Sequence, residues 1–341
     1  LRTADVVVFD ALANPLLLRE ARADAELIDV GKRARDHKLP QEQINELLVE
    51  MAKQGKRVVR LKGGDPYLFG RGAEEAAYLA SRGIMAEIVP GITSGIAAPM
   101  AAGIPVTHRK LASTVTLVTG HEDPTKDESS VDYSALAGLI AAGGTVCFYM
   151  GVGRLGAISE TLQQRGLTAD MPAAVVQWGG MPEQRSVRGT LQTIVADVQR
   201  EGIDSPAIII VGPVAGIDEP GLDYFTRRSL FGQRIVVTRT RQQASDLSRL
   251  LSERGAAVIE APTIELAEPP AEVWARVDEA LRTISNYDWL VLTSANGVAA
   301  VRSRLDQLRL DARAFAGVKL AAIGEVTAEA MRRDLGLTPD L

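Results

Sequence analysis

Cysteine is almost absent from this sequence, with one in 341 residues, Cys147, so no internal disulfide can form. That cysteine lies in the apolar run TVCFYM, which suits a buried structural thiol better than a nucleophile. Histidine is nearly as scarce: the three stand at positions 37, 108 and 121, a scatter with no metal-ligand spacing, so no metal site is expected. Excess positive charge is missing as well. Lys and Arg total 38 against 43 Asp and Glu, for a net charge of −5, whereas a nucleic-acid surface needs a basic field. No apolar run approaches the ~18 residues of a membrane span, and no signal-peptide pattern opens the chain. The expectation is a cytoplasmic protein with neither a nucleic acid nor a membrane as partner.

What is present is an apolar fraction of 46% over a length that allows two or three domains. The chain is organised around RVVRLKGGDPYLFGRG, Arg57 to Gly72, which reads as strand, loop, helix. Gly63 and Gly64 let backbone pass close to a ligand, and Asp65 puts a carboxylate at a strand's C-terminal end, where open α/β sheets bind small molecules. No lysine and hydroxyl follow the glycines as in a P-loop, so the loop suits hydroxyls or an ammonium group better than phosphates. The competing reading is a tight turn with Asp65 as a helix cap.

Before this loop, ADVVVF ends at Asp10, AELIDVG ends at Gly31, and QEQINELLVEMAKQG is an amphipathic helix with Pro40 at its head. After it comes a strand at MAEIVP, then Thr93 and Ser94 heading a small-residue helix. A second α/β domain starts near STVTLVTGH, giving domains over residues 1–112 and 113–214. Gly151, Gly153 and Gly156 spell G-x-G-x-x-G, the mark of a dinucleotide-dependent oxidoreductase. About 20 residues on, where an acid should hold the ribose, stand Gln177, Trp178 and Gly179. Residues 215–228 mix Gly, Pro and charge as a linker, and 229–341 form a third α/β region.

The run LKGGDPYLFGRGAEE, with VGKR before it and VPGITSG after it, closely resembles the uroporphyrinogen-III C-methyltransferases of the tetrapyrrole methylase family. The resemblance extends from Leu1 to about Val214. From GQRIVVTRT through YDWLVLTSANGV to AAIGEVTAEA, the third region resembles about the first half of a uroporphyrinogen-III synthase. The implied fold is a two-domain tetrapyrrole-methylase fold lacking its first strand, the family's GxGPGD segment, followed by a partial α/β synthase-like region.

The resemblance implies S-adenosylmethionine as cofactor, held by Gly63, Gly64, Asp65, Leu68, Thr93, Ser94, Met150 and Gly179. It implies Asp10 and Lys32 as a catalytic pair, the aspartate accepting and the lysine donating a proton. The implied reaction methylates uroporphyrinogen III at ring carbons 2 and 7 to give precorrin-2 for sirohaem or cobalamin. The fused synthase would cyclise hydroxymethylbilane, and a homodimer is implied. An eight-carboxylate substrate calls for cations, with Arg33, Arg35, Lys38, Arg71, Arg109 and Lys110 as candidates. In the synthase-like part, Thr293, Ser294, Asn296 and Gly297 at a strand-to-helix turn, with Arg239, could meet carboxylates through backbone amides. The alternatives are another tetrapyrrole methylase, a non-catalytic adenosyl-binding module, and the oxidoreductase of Gly151 to Gly156.

Overall fold

The computed structural model describes residues 1–31, 39–120, 131–238, 241–263 and 267–341. The chain divides into two compact units, Leu1–Thr263 and Ile264–Leu341. No described helix is long and apolar enough to cross a membrane.

The first unit opens with three parallel strands, β1 (Val6–Phe9), β2 (Glu26–Asp29) and β3 (Val58–Leu61), in the order β2-β1-β3. Val6, Val7 and Val8 are all fully buried, as a central strand covered on both faces requires. Asn14 starts the short 3-10 helix Pro15–Glu20 by accepting from the Leu16 amide, a turn rather than the full helix that ALANPLLLREA suggested. Helix α1 (Gln41–Lys53) lays Ile44, Leu48, Val49 and Met51 into the core, at the spacing of one helix face. Helix α2 (Gly72–Ala80) follows the glycine loop, and α3 (Ser94–Ala101) follows VPGIT.

The strand expected at MAEIVP does not form. Residues 84–90 run without a sheet partner, leaving Met85 88% and Val89 72% exposed. A strand exists only through its ladder, and here a cavity of about 780 Å³, lined by both β3 and residues 84–91, lies where the ladder would be.

The second sheet has five strands: β4 (Val115–Thr119), β5 (Thr145–Tyr149), β6 (Pro172–Gln177), β7 (Arg185–Thr190) and β8 (Ala207–Val211), in the order β4-β5-β8-β6-β7. β4 and β5 are parallel, while β8 runs antiparallel between β5 and β6, and β6 pairs antiparallel with β7. The period-2 alternation sorts side chains to two cores. Phe148, Val175 and Ile209 face α4 (Tyr133–Ala141), α5 (Leu155–Gln164) and α6 (Ile194–Arg200). Cys147, Tyr149, Val176 and Ile210 face the other way, onto Ala98 and Ala102 at the α3 end of the first sheet's segment. Thus α3 seats the first three-stranded region on the second sheet.

A parallel pair completes this unit, β9 (Arg234–Val237) and β10 (Ala257–Glu260), linked by α7 (Arg241–Glu253). In the second unit, α8 (Ala271–Arg282) and α9 (Ala295–Leu308) pack with the parallel pair β11 (Trp289–Leu292) and β12 (Lys319–Ala322) and with α10 (Glu325–Ala330). Its core includes Leu281, Val298, Leu305, Phe315 and Met331.

Candidate functional site

The N-terminal end of α3 is a hub for three loops. The Tyr149 phenol, at the end of β5, accepts from the Gly95 amide at 2.7 Å and shares a 2.6 Å hydrogen bond with Thr93 Oγ1. Burial raises the Tyr149 pKa, so the hydroxyl stays protonated as a hydrogen-bonding group, with the Thr93 and Gly95 bonds pulling the other way. The Phe69 ring lies 4.9 Å from that of Tyr149. Asp65 ties the glycine loop to the segment before α3, accepting from Tyr67 N at 2.9 Å through Oδ1 and from Gly91 N at 3.1 Å through Oδ2. The fit is close enough that a Cβ on Gly91 would stand 2.2 Å from Gly64 O, and one on Gly95 2.3 Å from Tyr149 Oη.

Backbone strain gathers at the same place. Five described non-glycine residues have positive φ: Phe69, Arg71, Met150, Trp178 and Arg309. The first four fall in the loops around this hub, whereas Arg309 is an ordinary helix C-cap. For bulky residues such a conformation costs of order 1–3 kcal/mol and persists where the surroundings over-determine it, commonly at ligand sites.

Most residues expected to hold the cofactor meet here. Gly64 lies against Thr93, with 3.6 Å from its would-be Cβ to Thr93 Cα, and a Cβ on Gly63 would stand 3.0 Å from Leu12 O. Leu68 packs on the core that contains Ala98 and Tyr149, Thr93 is buried, and Ser94 is exposed as the first residue of α3. Met150 follows Tyr149 with φ 56° and is 53% exposed. A Cβ on Gly179 would stand 2.4 Å from Ala98 Cβ, so the loop after β6 presses directly on α3. Among the described residues no group of His, Cys, Asp and Glu could hold a metal ion.

Asp10 sits just past β1 and receives Arg60 Nη2 at 2.6 Å. Lys32, Arg33, Arg35, Lys38 and Arg239 lie outside the described residues. Arg71 precedes α2 and pairs with Glu74 at 2.6 Å, and this hydrogen bond lowers the Glu74 pKa. Arg109 and Lys110 are exposed on the turn between His108 and Ala112, beyond the other end of α3. In the second unit Ser294 caps α9 by accepting from Gly297 N at 3.1 Å, with Thr293 exposed beside it and Asn296 in the first turn. That is an ordinary strand-to-helix turn in geometry.

The G-x-G-x-x-G run lacks the contacts a dinucleotide fingerprint needs. Gly151 packs near Ile209 and Ile158, but a Cβ on Gly153 or Gly156 would meet nothing within 4 Å. The third glycine therefore secures no close helix-strand contact. Sequence reasoning missed Tyr149, Phe69, Arg60, Lys62 and Glu75. Tyr149 was visible only as an aromatic ending an apolar run, and Arg60, Lys62 and Glu75 as ordinary surface charges.

The family model for "Tetrapyrrole (Corrin/Porphyrin) Methylases" matches residues 1–195, and that for "Uroporphyrinogen-III synthase HemD" matches residues 245–341. The chain belongs to the tetrapyrrole methylase family, with a synthase-family region after it. It is 38% identical over 340 residues to the "Porphyrin biosynthesis protein HemD" of Ruminiclostridium josui, covering 100% of this chain and 66% of that protein. It is also 38% identical over 338 residues to the "Uroporphyrinogen-III C-methyltransferase" of Bacillus subtilis (strain 168), covering 99% of this chain and 68% of that one. The chain thus spans about two thirds of the length of these relatives. Among solved structures it resembles a uroporphyrin-III C-methyl transferase from Thermus thermophilus complexed with S-adenyl homocysteine. The TM-score is 0.52 at 36% identity, over 63% of this chain and 88% of that one.

Proposed function

We propose that the chain transfers methyl groups from S-adenosylmethionine to ring carbons 2 and 7 of uroporphyrinogen III, giving precorrin-2 for sirohaem or cobalamin. The observation that carries this reading is the joining of three loops at the start of α3, with Phe69, Met150 and Trp178 held at positive φ, in a chain of the tetrapyrrole methylase family. The residues fit the cofactor: glycines at 63, 64 and 179 keep side chains out of the loops, and Leu68 and Met150 offer apolar surface. When bound, the cofactor supplies an electrophilic methyl on a positively charged sulfur. The protein's part is positioning, since reacting atoms must be held about 3–3.5 Å apart and in line. Gly63, Gly64, Asp65, Leu68, Thr93, Ser94, Met150 and Gly179 would do this for the nucleoside.

The attacked ring carbons already carry carboxylate side chains and no hydrogen, so as the new carbon–carbon bond forms and the methyl–sulfur bond breaks, the proton lost must leave from a ring nitrogen or a bridging carbon. Asp10 is the acceptor in this reading, partly exposed at the end of β1 and oriented by Arg60. Lys32 would donate a proton elsewhere on the ring. Arg33, Arg71 and Arg109 would meet carboxylates of the macrocycle. A homodimer and a cytoplasmic location belong to the same proposal.

Incubating the whole chain with uroporphyrinogen III and S-adenosylmethionine should add one and then two methyl masses. No mass gain, with binding of S-adenosylmethionine but not NAD retained, would leave only an adenosyl-binding module. Binding of NAD instead would favour the oxidoreductase.

A second activity rests on the match of residues 245–341 to the synthase family. This region would contribute to closing hydroxymethylbilane into uroporphyrinogen III, with Thr293, Ser294 and Asn296 near the substrate. Such a fusion would supply the methylase with its own substrate. Conversion of hydroxymethylbilane to the type III isomer, separated from the type I product of spontaneous closure, tests it.

A further inference from the structure

The C-terminal end of β3 and the first turn of α2 bring further charges to Asp10 at the end of β1. Arg60, which gives Nη2 to Asp10, also gives Nε to Glu75 Oε1 at 3.4 Å. Lys62 Nζ stands 3.0 Å from that same Glu75 oxygen and 3.6 Å from Asp10 Oδ2. Gln41 Nε2 donates to Glu75 Oε1 at 3.0 Å and to Asn45 Oδ1 at 3.1 Å, fixing the carboxylate from the α1 side. Two cations and two carboxylates therefore close a ring in which Glu75, Lys62 and Arg60 side chains are 5%, 8% and 12% exposed, against 27% for Asp10.

Charges taken this far out of water are costly unless each is paired. A fold needing only to fill this space could do so with apolar side chains at lower desolvation cost. The arrangement presents a single outward-reaching member, Asp10, while Glu75 touches the two cations and reaches Asp10 only through them. We propose that Glu75 is a positioning residue for Asp10, balancing Arg60 and Lys62 so that the Asp10 carboxylate is aimed outward and not over-neutralised. The proposal rests on the reading of Asp10 as proton acceptor. Without the Glu75 charge, two cations would face one carboxylate, and both would be drawn onto Asp10, pulling its carboxylate inward and offsetting its charge.

The test is a double-mutant cycle on the whole chain, read as kcat at saturating S-adenosylmethionine and uroporphyrinogen III, with cofactor Kd measured alongside. Asp10→Asn should lower kcat by about 10²–10⁴-fold. Glu75→Gln should lower it about tenfold or more with cofactor Kd changed by less than about twofold, and should cost nothing further in the Asp10→Asn background. Arg60→Lys keeps the charge but loses the fork, and should show the same non-additive loss, which serves if Glu75→Gln does not fold. Full kcat in Glu75→Gln, or losses that multiply with Asp10→Asn in a folded variant, would overturn the positioning role while leaving Asp10 as acceptor. Full turnover in Asp10→Asn would overturn the acceptor reading and the positioning role with it.

Discussion

Val175 and Val176 of β6 are fully buried, with β7 on one side and β8 on the other, whereas Val236 of β9 and Val291 of β11 are 57% and 54% exposed. All four are β-branched residues in short apolar runs, with the same intrinsic preference for a pleated surface. The five-stranded sheet gives its inner strands ladders on both edges and helices or α3 on both faces. The pairs β9-β10 and β11-β12 give each strand one ladder. The stability of a strand is therefore a property of its neighbours more than of its own residues. The unpaired run at 84–90 is the extreme case, with the composition of a strand and no ladder.

The largest test of that contrast is Ile209→Ala in β8, where the fully buried side chain sits at the centre of the five-stranded core. The loss should be about 2–5 kcal/mol in urea unfolding, and a loss below about 1 kcal/mol would mean the core is loose. Cys147 on the opposite face offers a probe of the same sheet without mutation. Burial pushes its thiol from 9.0 up to about 12. Native alkylation at pH 8 should then run about a thousandfold slower than in urea. The sign for stability is also fixed. The unfolded thiol ionises near 9.0 while the folded one stays neutral to about 12, so stability is unaffected below pH 9 and falls as pH rises through that window.

A smaller effect is expected at the hub. Tyr149→Phe removes the partner of the buried Gly95 amide and of Thr93 Oγ1, at about 1–3 kcal/mol. Titration with S-adenosylhomocysteine should show affinity weakened about tenfold, the equivalent of 1.4 kcal/mol. Unchanged affinity in a stably folded variant would separate the α3 start from cofactor binding. The smallest effect belongs to Val236→Ala in β9, about 0.5 kcal/mol or less by urea unfolding, because over half of that side chain already meets water. A cost comparable to that of Ile209→Ala would erase the contrast between the sheets.

Much of this was legible beforehand, for identifiable reasons. β1, β5, β6 and β8 were apparent because runs such as VVVF and AIIIV are long enough and apolar enough to need burial on both faces. The glycine loop stood out because Gly63 and Gly64 have no side chain to disguise a close approach. The charged ring of Asp10, Arg60, Lys62 and Glu75 was not legible, since its members come from two strands and a helix and each alone looks like a solvated surface residue. Tyr149 escaped for a related reason: an aromatic at a strand end is usually core, and its bonds to Thr93 and Gly95 span more than fifty positions.

The sequence alone determined most of the order of strands and helices, because period and punctuation are local signals carried by side-chain polarity, glycine and proline. It also carried the family resemblance, which lives in short runs such as LKGGDPYLFGRG. Only the tertiary structure decided which apolar runs became paired strands, that β8 would insert antiparallel between β5 and β6, and that four scattered charges would close on one another out of water. Ladders and ion pairs join residues distant along the chain, and their energies depend on burial that no local stretch of sequence contains.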